Sequence, residues 1–198
     1  MVAIVDYGAG NLHSVKNALD HLGAGSVITS DREQILAADR VILPGVGAFG
    51  DAMRSLNENG LADVVRSAAD GSKPFLGICL GLQLLFESSE ESPGAEGLGI
   101  FKGSVVRIPD RGLKIPHMGW NNISLPKKSA ILPEGEPFVY FVHSYYIRPE
   151  DESEISAYTE YGGRLAVAVE RGMVFATQFH PEKSGEVGME ILKRFLEV

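Results

Sequence analysis

The sequence predicts an α/β fold of three layers: a mainly parallel central sheet, helices on both faces, and an antiparallel β extension. Three observations carry that expectation. Short apolar runs alternate with amphipathic segments through the first half of the chain. The runs are largely β-branched and close on glycine or proline, as strands buried on both faces do. The second half has several β-like runs separated by glycine and proline, a pattern that fits antiparallel pairing.

The elements follow in order. "VAIVDY" (2–7), "SVITS" (26–30), "RVILPG" (40–45) and "PFLGIC" (74–79) read as buried strands. Asn11 stands where an N-cap would open a helix running to Leu22, with Leu12, Val15, Leu19 and Leu22 on one stripe. One further helix is expected within each of the segments 31–38 and 49–69, and another just after Cys79. This βαβ alternation implies parallel strands joined by crossover helices. Beyond it, residues 99–125 and 138–179, including "GSVVRI", "PFVYFVHSYYI", "RLAVAVE" and "MVFATQF", read as the antiparallel extension. The acidic stretch "ESSEESPGAEG" (87–97) reads as a loop. "GEVGMEILKRFLEV" places Val187, Ile191, Leu192 and Phe195 at helical spacing, a terminal helix docked on the core.

Composition bounds the function. The 198 residues suit one domain spanning 1–198, and 44% hydrophobic with 22% charged residues is enough apolar matter for a continuous core. A net charge of −8 without a basic block argues against nucleic acid as a partner. The longest uncharged apolar run, Pro74 to Phe86, is well short of the roughly 20 residues that span a bilayer. The start, "MVAIVDYGAG", has no basic region and reaches Asp6 at once, which reads against a signal peptide. One cysteine cannot form an internal disulfide, so a reducing, cytoplasmic setting is expected.

That cysteine is the informative residue. Gly77-Ile78-Cys79-Leu80-Gly81 follows a strand and precedes a helix, the glycine-x-nucleophile-x-glycine arrangement of a nucleophile elbow. Side chains at the flanking positions would collide with the neighbouring strand and helix, so glycine is needed on both sides. Sulfur at such a turn lies near a helix N-terminus, whose dipole favours thiolate, and the Leu80 N–H can face a developing oxyanion. The alternative is a buried cysteine behaving as a small hydrophobe.

A thiol nucleophile acting on an acyl group needs a base, and the base needs an orienting acceptor. "FATQFHPEKSG" supplies a candidate pair. His180 ends a β-like run and Glu182 stands two positions on, so extended backbone would project both side chains from one face. Glu182 would hold one ring nitrogen while the other faces Cys79. A surface His-Pro-Glu turn is the other reading.

Together, "PGVGAFGDAM" (44–53), "GICLGLQLLFE" (77–87) and "QFHPEKSG" (178–185) resemble the class I, triad-type glutamine amidotransferases. "DYGAGNLHSV", "PHMGWNNI" (116–123) and "YFVHSYY" (140–146) resemble, within that class, the glutaminase subunits of imidazole glycerol phosphate synthase. The related glutaminases of pyridoxal phosphate synthase normally carry Gly-Gly-Glu-Ser where this chain has Pro44-Gly45-Val46-Gly47.

The resemblance implies a class I glutamine amidotransferase-like fold and hydrolysis of L-glutamine through a Cys79 thioester, with His180 moving protons and Glu182 fixing its tautomer. It implies an oxyanion hole from the backbone of Leu80 and of Val46 or Gly47, and glutamine recognition by Gln83, Glu91, His143, Ser144 and Tyr145. It implies as partner a (β/α)₈-barrel cyclase subunit, one copy of each in a heterodimer, that consumes the ammonia in histidine biosynthesis. Asn11, Trp120, Tyr140 and Lys183 would lie at that interface; from the residues alone, Trp120 fits a core position equally well.

Gly8-Ala9-Gly10 lacks the third glycine of a dinucleotide loop, since His13 occupies its place. The five histidines show no zinc-ligand spacing, so no metal or other cofactor is expected. Two other functions remain open at this level: an independent cysteine hydrolase such as a peptidase, and a noncatalytic binding module on the same fold.

Overall fold

The β-branched runs of the first half do form strands. In the computed structural model, which describes Met1–Val198, β1 is Val2–Val5, β2 Ser26–Thr29, β3 Arg40–Gly45 and β4 Phe75–Cys79. They are joined by α1 (Leu12–His21), α2 (Arg32–Ala37), α3 (Phe49–Glu58) and α4 (Ala62–Ala68), and α5 (Leu80–Leu84) leaves β4 directly. The later strands are β5 (Ser88–Ser89), β6 (Gly103–Arg107), β7 (His117–Asn122), β8 (Phe138–His143), β9 (Tyr145–Pro149), β10 (Ile155–Glu160), β11 (Arg164–Arg171) and β12 (Val174–Thr177). A 3₁₀ turn over Pro181–Lys183 leads into α6 (Gly185–Glu197).

The main sheet runs β2-β1-β3-β4-β12-β11-β9-β6-β5, with β10 paired to β11. Its first five strands are parallel. From β12 outward, β11, β9 and β6 pair antiparallel and make the extension. Alternating residues face opposite sides of the parallel part, as the period of two requires. Val2, Ile4, Ile42 and Phe175 pack with Val15 and Leu19 of α1 and with Ile191, Leu192 and Phe195 of α6. Ala3, Val5, Val41, Leu43, Val174 and Ala176 pack with α2 to α5 through Ile35, Phe49, Leu56, Val65 and Leu82. The two apolar clusters are the middles of a three-layer sandwich.

Six local readings change. The single helix expected within 49–69 is two, α3 and α4, because Gly60 turns the chain at φ +66° and the Leu61 N–H returns to the Leu56 carbonyl at 2.8 Å. Asn11 does hold the N-cap position of α1, but its side chain makes no capping bond. The "MVFATQF" run does not lie wholly in the antiparallel extension: β12 pairs parallel with β4, completing the parallel core. "PFVYFVHSYYI" is two strands in two sheets, since the chain leaves β8 at Ser144 and enters the main sheet as β9. β7 and β8 form a separate two-stranded ribbon, and the acidic segment opens with the short β5 before its turns.

No helix is long and apolar enough to cross a membrane.

Candidate active site

The register of the parallel strands assembles the site. Gly45 lies opposite Cys79, and Thr177 lies opposite Ile78, so the carboxyl ends of β3, β4 and β12 finish side by side. That is where open α/β sheets bind ligands. Val46-Gly47 continues from β3, Cys79 ends β4, and Gln178 to His180 continue from β12.

Cys79 is the only non-glycine residue with positive φ, at φ 56° and ψ −110°. The elbow expected from the glycine pair is present. A Cβ on Gly81 would lie 1.9 Å from the Leu43 carbonyl oxygen, and one on Gly77 would lie 3.0 Å from the Gly81 carbonyl oxygen. The turn therefore packs its helix onto β3 at a distance only glycine permits. Leu80 opens α5, and helix N-termini leave their first N–H groups without intrahelical partners.

His180 donates from Nδ1 to Glu182 Oε1 at 2.8 Å, and both side chains are almost wholly buried. Glu182 does not reach this position through extended backbone. It sits in the 3₁₀ turn Pro181–Lys183, which folds its carboxylate back under the imidazole. The second carboxylate oxygen, Oε2, is buried with no protein hydrogen-bond partner. Burial by itself would depress the His180 pKa, but the neighbouring Cys79 thiol and then the Glu182 carboxylate outweigh it and lift the value to about 9, although Nε2 itself makes no hydrogen bond within the site as it stands. A protonated His180 therefore stands beside Cys79.

A cavity of about 350 Å³ opens over the sulfur, within the range of small-molecule sites. Val46, Gly47, Cys79, Leu80, Gln83, Glu91, His143, Ser144, Tyr145, His180 and Lys183 all line it, joined by Pro116 and Val142. The structure thus brings together every expected catalytic, oxyanion and substrate residue except Glu182, which stands behind His180. Gly47 has φ +103°, and the Val46 side chain is exposed at the cavity mouth.

Three of these residues have other duties as well. Glu91 is not a solvated charge: its Oε2 accepts from the Phe49 N–H at 2.8 Å and holds the start of α3, whose own N-cap residue offers no side chain. Gln83 donates through Nε2 to Gln178 Oε1 at 3.0 Å and to the Tyr145 carbonyl at 3.4 Å, which leaves its Oε1 for a ligand. The His143 ring is not free to bind substrate. Its Nδ1 donates to the Tyr145 carbonyl at 2.8 Å, and its Nε2 meets His117 Nδ1 at 2.9 Å. Burial drives His143 down to about 3 and His117 to about 4, so both rings are neutral. His143 lines the cavity, but both its ring nitrogens are already engaged within the protein.

Reasoning from the sequence overlooked Gln178, which is fully buried with Nε2 3.8 Å from Cys79 Sγ. A signal was present, because 178 and 180 are two apart at the end of a strand and share a face.

The expected interface residues lie at one end of this site. Trp120 pairs with Tyr140 across the β7–β8 ribbon, their rings edge to face at 6.1 Å. Trp120 is 56% exposed and its ring lies against Gly185 at the start of α6; Met118 and Phe138 are equally open. The core alternative for Trp120 is thereby excluded. The ribbon is tied to the His-Pro-Glu turn, since the His180 N–H donates to the Tyr140 carbonyl at 3.1 Å and the Tyr140 N–H to Ser184 Oγ at 2.9 Å. Lys183 is exposed in that turn, and Asn11 is half-buried before α1. No group of three or more His, Cys, Asp or Glu side chains gathers to hold a metal ion.

A thiol on an elbow, an imidazole beside it and a carboxylate behind are the groups that acyl transfer from an amide requires, and the fold around them is shared with known amidotransferases. The chain belongs to the class I glutamine amidotransferase family, whose model matches residues 3–198. A solved structure described as a glutamine amidotransferase superposes with a TM-score of 0.77 at 25% identity, covering 100% of this chain and 98% of that one. Nearer in sequence are subunits of one synthase. The imidazole glycerol phosphate synthase subunit HisH of Moorella thermoacetica is 52% identical, covering 100% of this chain and 94% of that protein. The chloroplastic imidazole glycerol phosphate synthase hisHF of Arabidopsis thaliana is 50% identical across 99% of this chain, which corresponds to 34% of that longer protein.

Proposed function

We propose that the chain is the glutaminase subunit of imidazole glycerol phosphate synthase and hydrolyses L-glutamine to L-glutamate and ammonia for use in histidine biosynthesis. The observation that carries the reading is the convergence of Cys79, His180 and Glu182 at the ends of adjacent strands, in a chain about half identical to such subunits over its whole length.

The chemistry follows from the geometry. The Cys79 thiolate attacks the carboxamide carbon of glutamine, and the tetrahedral oxyanion is held by the Leu80 N–H and one from Val46-Gly47. Loss of one such donor typically costs about 10²–10³ in rate. His180 Nε2–H gives its proton to the departing nitrogen, ammonia leaves, and a thioester remains. Water then attacks the thioester, His180 takes its proton, and glutamate departs. Glu182 holds Nδ1–H throughout, so Nε2 always serves the sulfur side. Gln83 Oε1, Glu91 and the Ser144-Tyr145 backbone recognise the amino-acid end of glutamine.

Ammonia released into water would be protonated and diluted, so the reading includes a cyclase partner, a (β/α)₈ barrel docked as a 1:1 heterodimer in the cytoplasm. Exposed Trp120, with Tyr140, Lys183 and Asn11, supports docking at the cavity end of the molecule.

The deciding experiment is glutamate release by the purified chain, alone and with the cyclase and its nucleotide ligand. Low release alone and a large rise in the complex are expected, and Cys79→Ala abolishes the glutamine-driven reaction while synthesis from added ammonia survives. High release from the lone chain, or equal loss of both reactions in Cys79→Ala, would overturn the assignment.

A further inference from the structure

The buried side chain of Gln178 has no part in the chemistry described so far, yet it touches the reacting atom. It leaves the end of β12 on the same side as His180, is fully buried, and has its backbone fixed by an N–H bond to the Val167 carbonyl at 2.8 Å. A primary amide in such a place is costly unless both ends are bonded. Here both are: Oε1 accepts from Gln83 Nε2 at 3.0 Å, and Nε2 approaches Cys79 Sγ at 3.8 Å, within reach for sulfur.

Which end of the amide faces sulfur is decided by the neighbours. The Tyr145 carbonyl can only accept, so the Gln83 group within 3.4 Å of it is the NH₂. The same NH₂ faces Gln178, which must therefore present its oxygen to Gln83 and its NH₂ to Cys79. The Tyr145 carbonyl is itself held by His143 Nδ1–H. His143 must in consequence accept at Nε2 from His117 Nδ1–H, and His117 Nε2 accepts from Asn121 Nδ2 at 3.3 Å. The polarity is single-valued from Asn121 on β7 to the sulfur.

We propose that Gln178 is a further catalytic residue of the glutaminase reaction: its side-chain N–H donates to the Cys79 thiolate, in an orientation imposed by Gln83 and the Tyr145 carbonyl. A neutral thiol gains little from such a donor, whereas an anionic acceptor gains much more, so the contact favours the attacking form and the thiolate regenerated at hydrolysis. The inference rests on the glutaminase reading for its consequence in turnover, though not for the contact itself.

The test is the rate of Cys79 alkylation by iodoacetamide against pH in the full-length chain, compared with Gln178→Met, which keeps the length and removes the donor. The variant is expected to react about tenfold more slowly near neutral pH, with its profile displaced to higher pH. In the complex, kcat for glutamine falls with KM little changed. Gln83→Met, which frees the Gln178 amide to rotate, lowers alkylation less. In the unmutated chain the Gln178 side-chain amide resonances move with the same pH midpoint as alkylation, a readout that needs no variant to fold. Superimposable alkylation profiles in a folded Gln178→Met chain, or amide resonances indifferent to the thiol, would overturn the proposal. Alkylation requires no glutamine, so a wild-type complex that released no glutamate would sink the glutaminase reading while leaving this comparison intact.

Discussion

Acidification should destabilise this protein through two buried histidines outside the triad, His143 and His117. His143 is buried, and burial is the main reason its pKa falls to about 3; the Tyr145 carbonyl opposes the shift, while His117 and His180 add to it. The sign is unambiguous. Above the unfolded value near 6.5 neither state binds a proton here, and stability is at its full level. Below it the unfolded chain takes up a proton that the folded chain refuses, so stability falls until the pH approaches about 3. Going from about pH 7.5 to about pH 5 therefore removes about 2 kcal/mol at this residue, a large part of a typical folding free energy. His117, depressed to about 4 by burial, acts in the same direction. The assay is urea denaturation at both pH values for the wild type and for His143→Gln, which cannot titrate. The variant is less stable at neutral pH for reasons of packing, but its loss on acidification should be smaller by about 2 kcal/mol. An identical acid loss in both proteins would refute the claim that this imidazole is held neutral.

Two further outcomes follow. Gly81→Ala should lose about 3 kcal/mol in thermal or urea unfolding, because the new methyl group has nowhere to go beside the Leu43 carbonyl, whereas Gly25→Ala, with open space around it, should stay within about 0.5 kcal/mol of wild type. Trp120→Ala should weaken cyclase binding in calorimetry by about 2 kcal/mol while iodoacetamide reactivity of Cys79 in the lone chain is unchanged; unaltered affinity would remove Trp120 from the interface.

The parallel core was legible because its physics is local. Runs such as "RVILPG" and "PFLGIC" are too apolar and too short to be anything but buried strands, and β3 has the same bounds as its run. The elbow was legible for a related reason, since two glycines around a cysteine have few other uses at a strand end. What escaped depends on partners distant in sequence. Ser144 carries no glycine or proline signal, yet the chain changes sheet there because His143 pairs with His117 while Tyr145 pairs with Arg107. The His-Pro-Glu pair was found through the wrong backbone, since a 3₁₀ turn and an extended strand can both bring positions 180 and 182 together. Gln178 was missed although it shares a face with His180, because that spacing alone does not distinguish a buried amide bonded at both ends from an ordinary polar position.

The backbone at Cys79 has a consequence of its own. An L-residue at φ 56° and ψ −110° sits outside the comfortable regions and stores about 1–3 kcal/mol that glycine would not. Glycine at this position would relieve that strain, whereas alanine, which keeps the Cβ, would not. A chain selected for durability alone would drift to glycine at this position, so the contorted main chain is a record of use that can be read even with every side chain stripped away. Stabilisation campaigns that rank substitutions by folding free energy would nominate this site early and, with Cys79 the nucleophile proposed above, would optimise the protein into an inert scaffold.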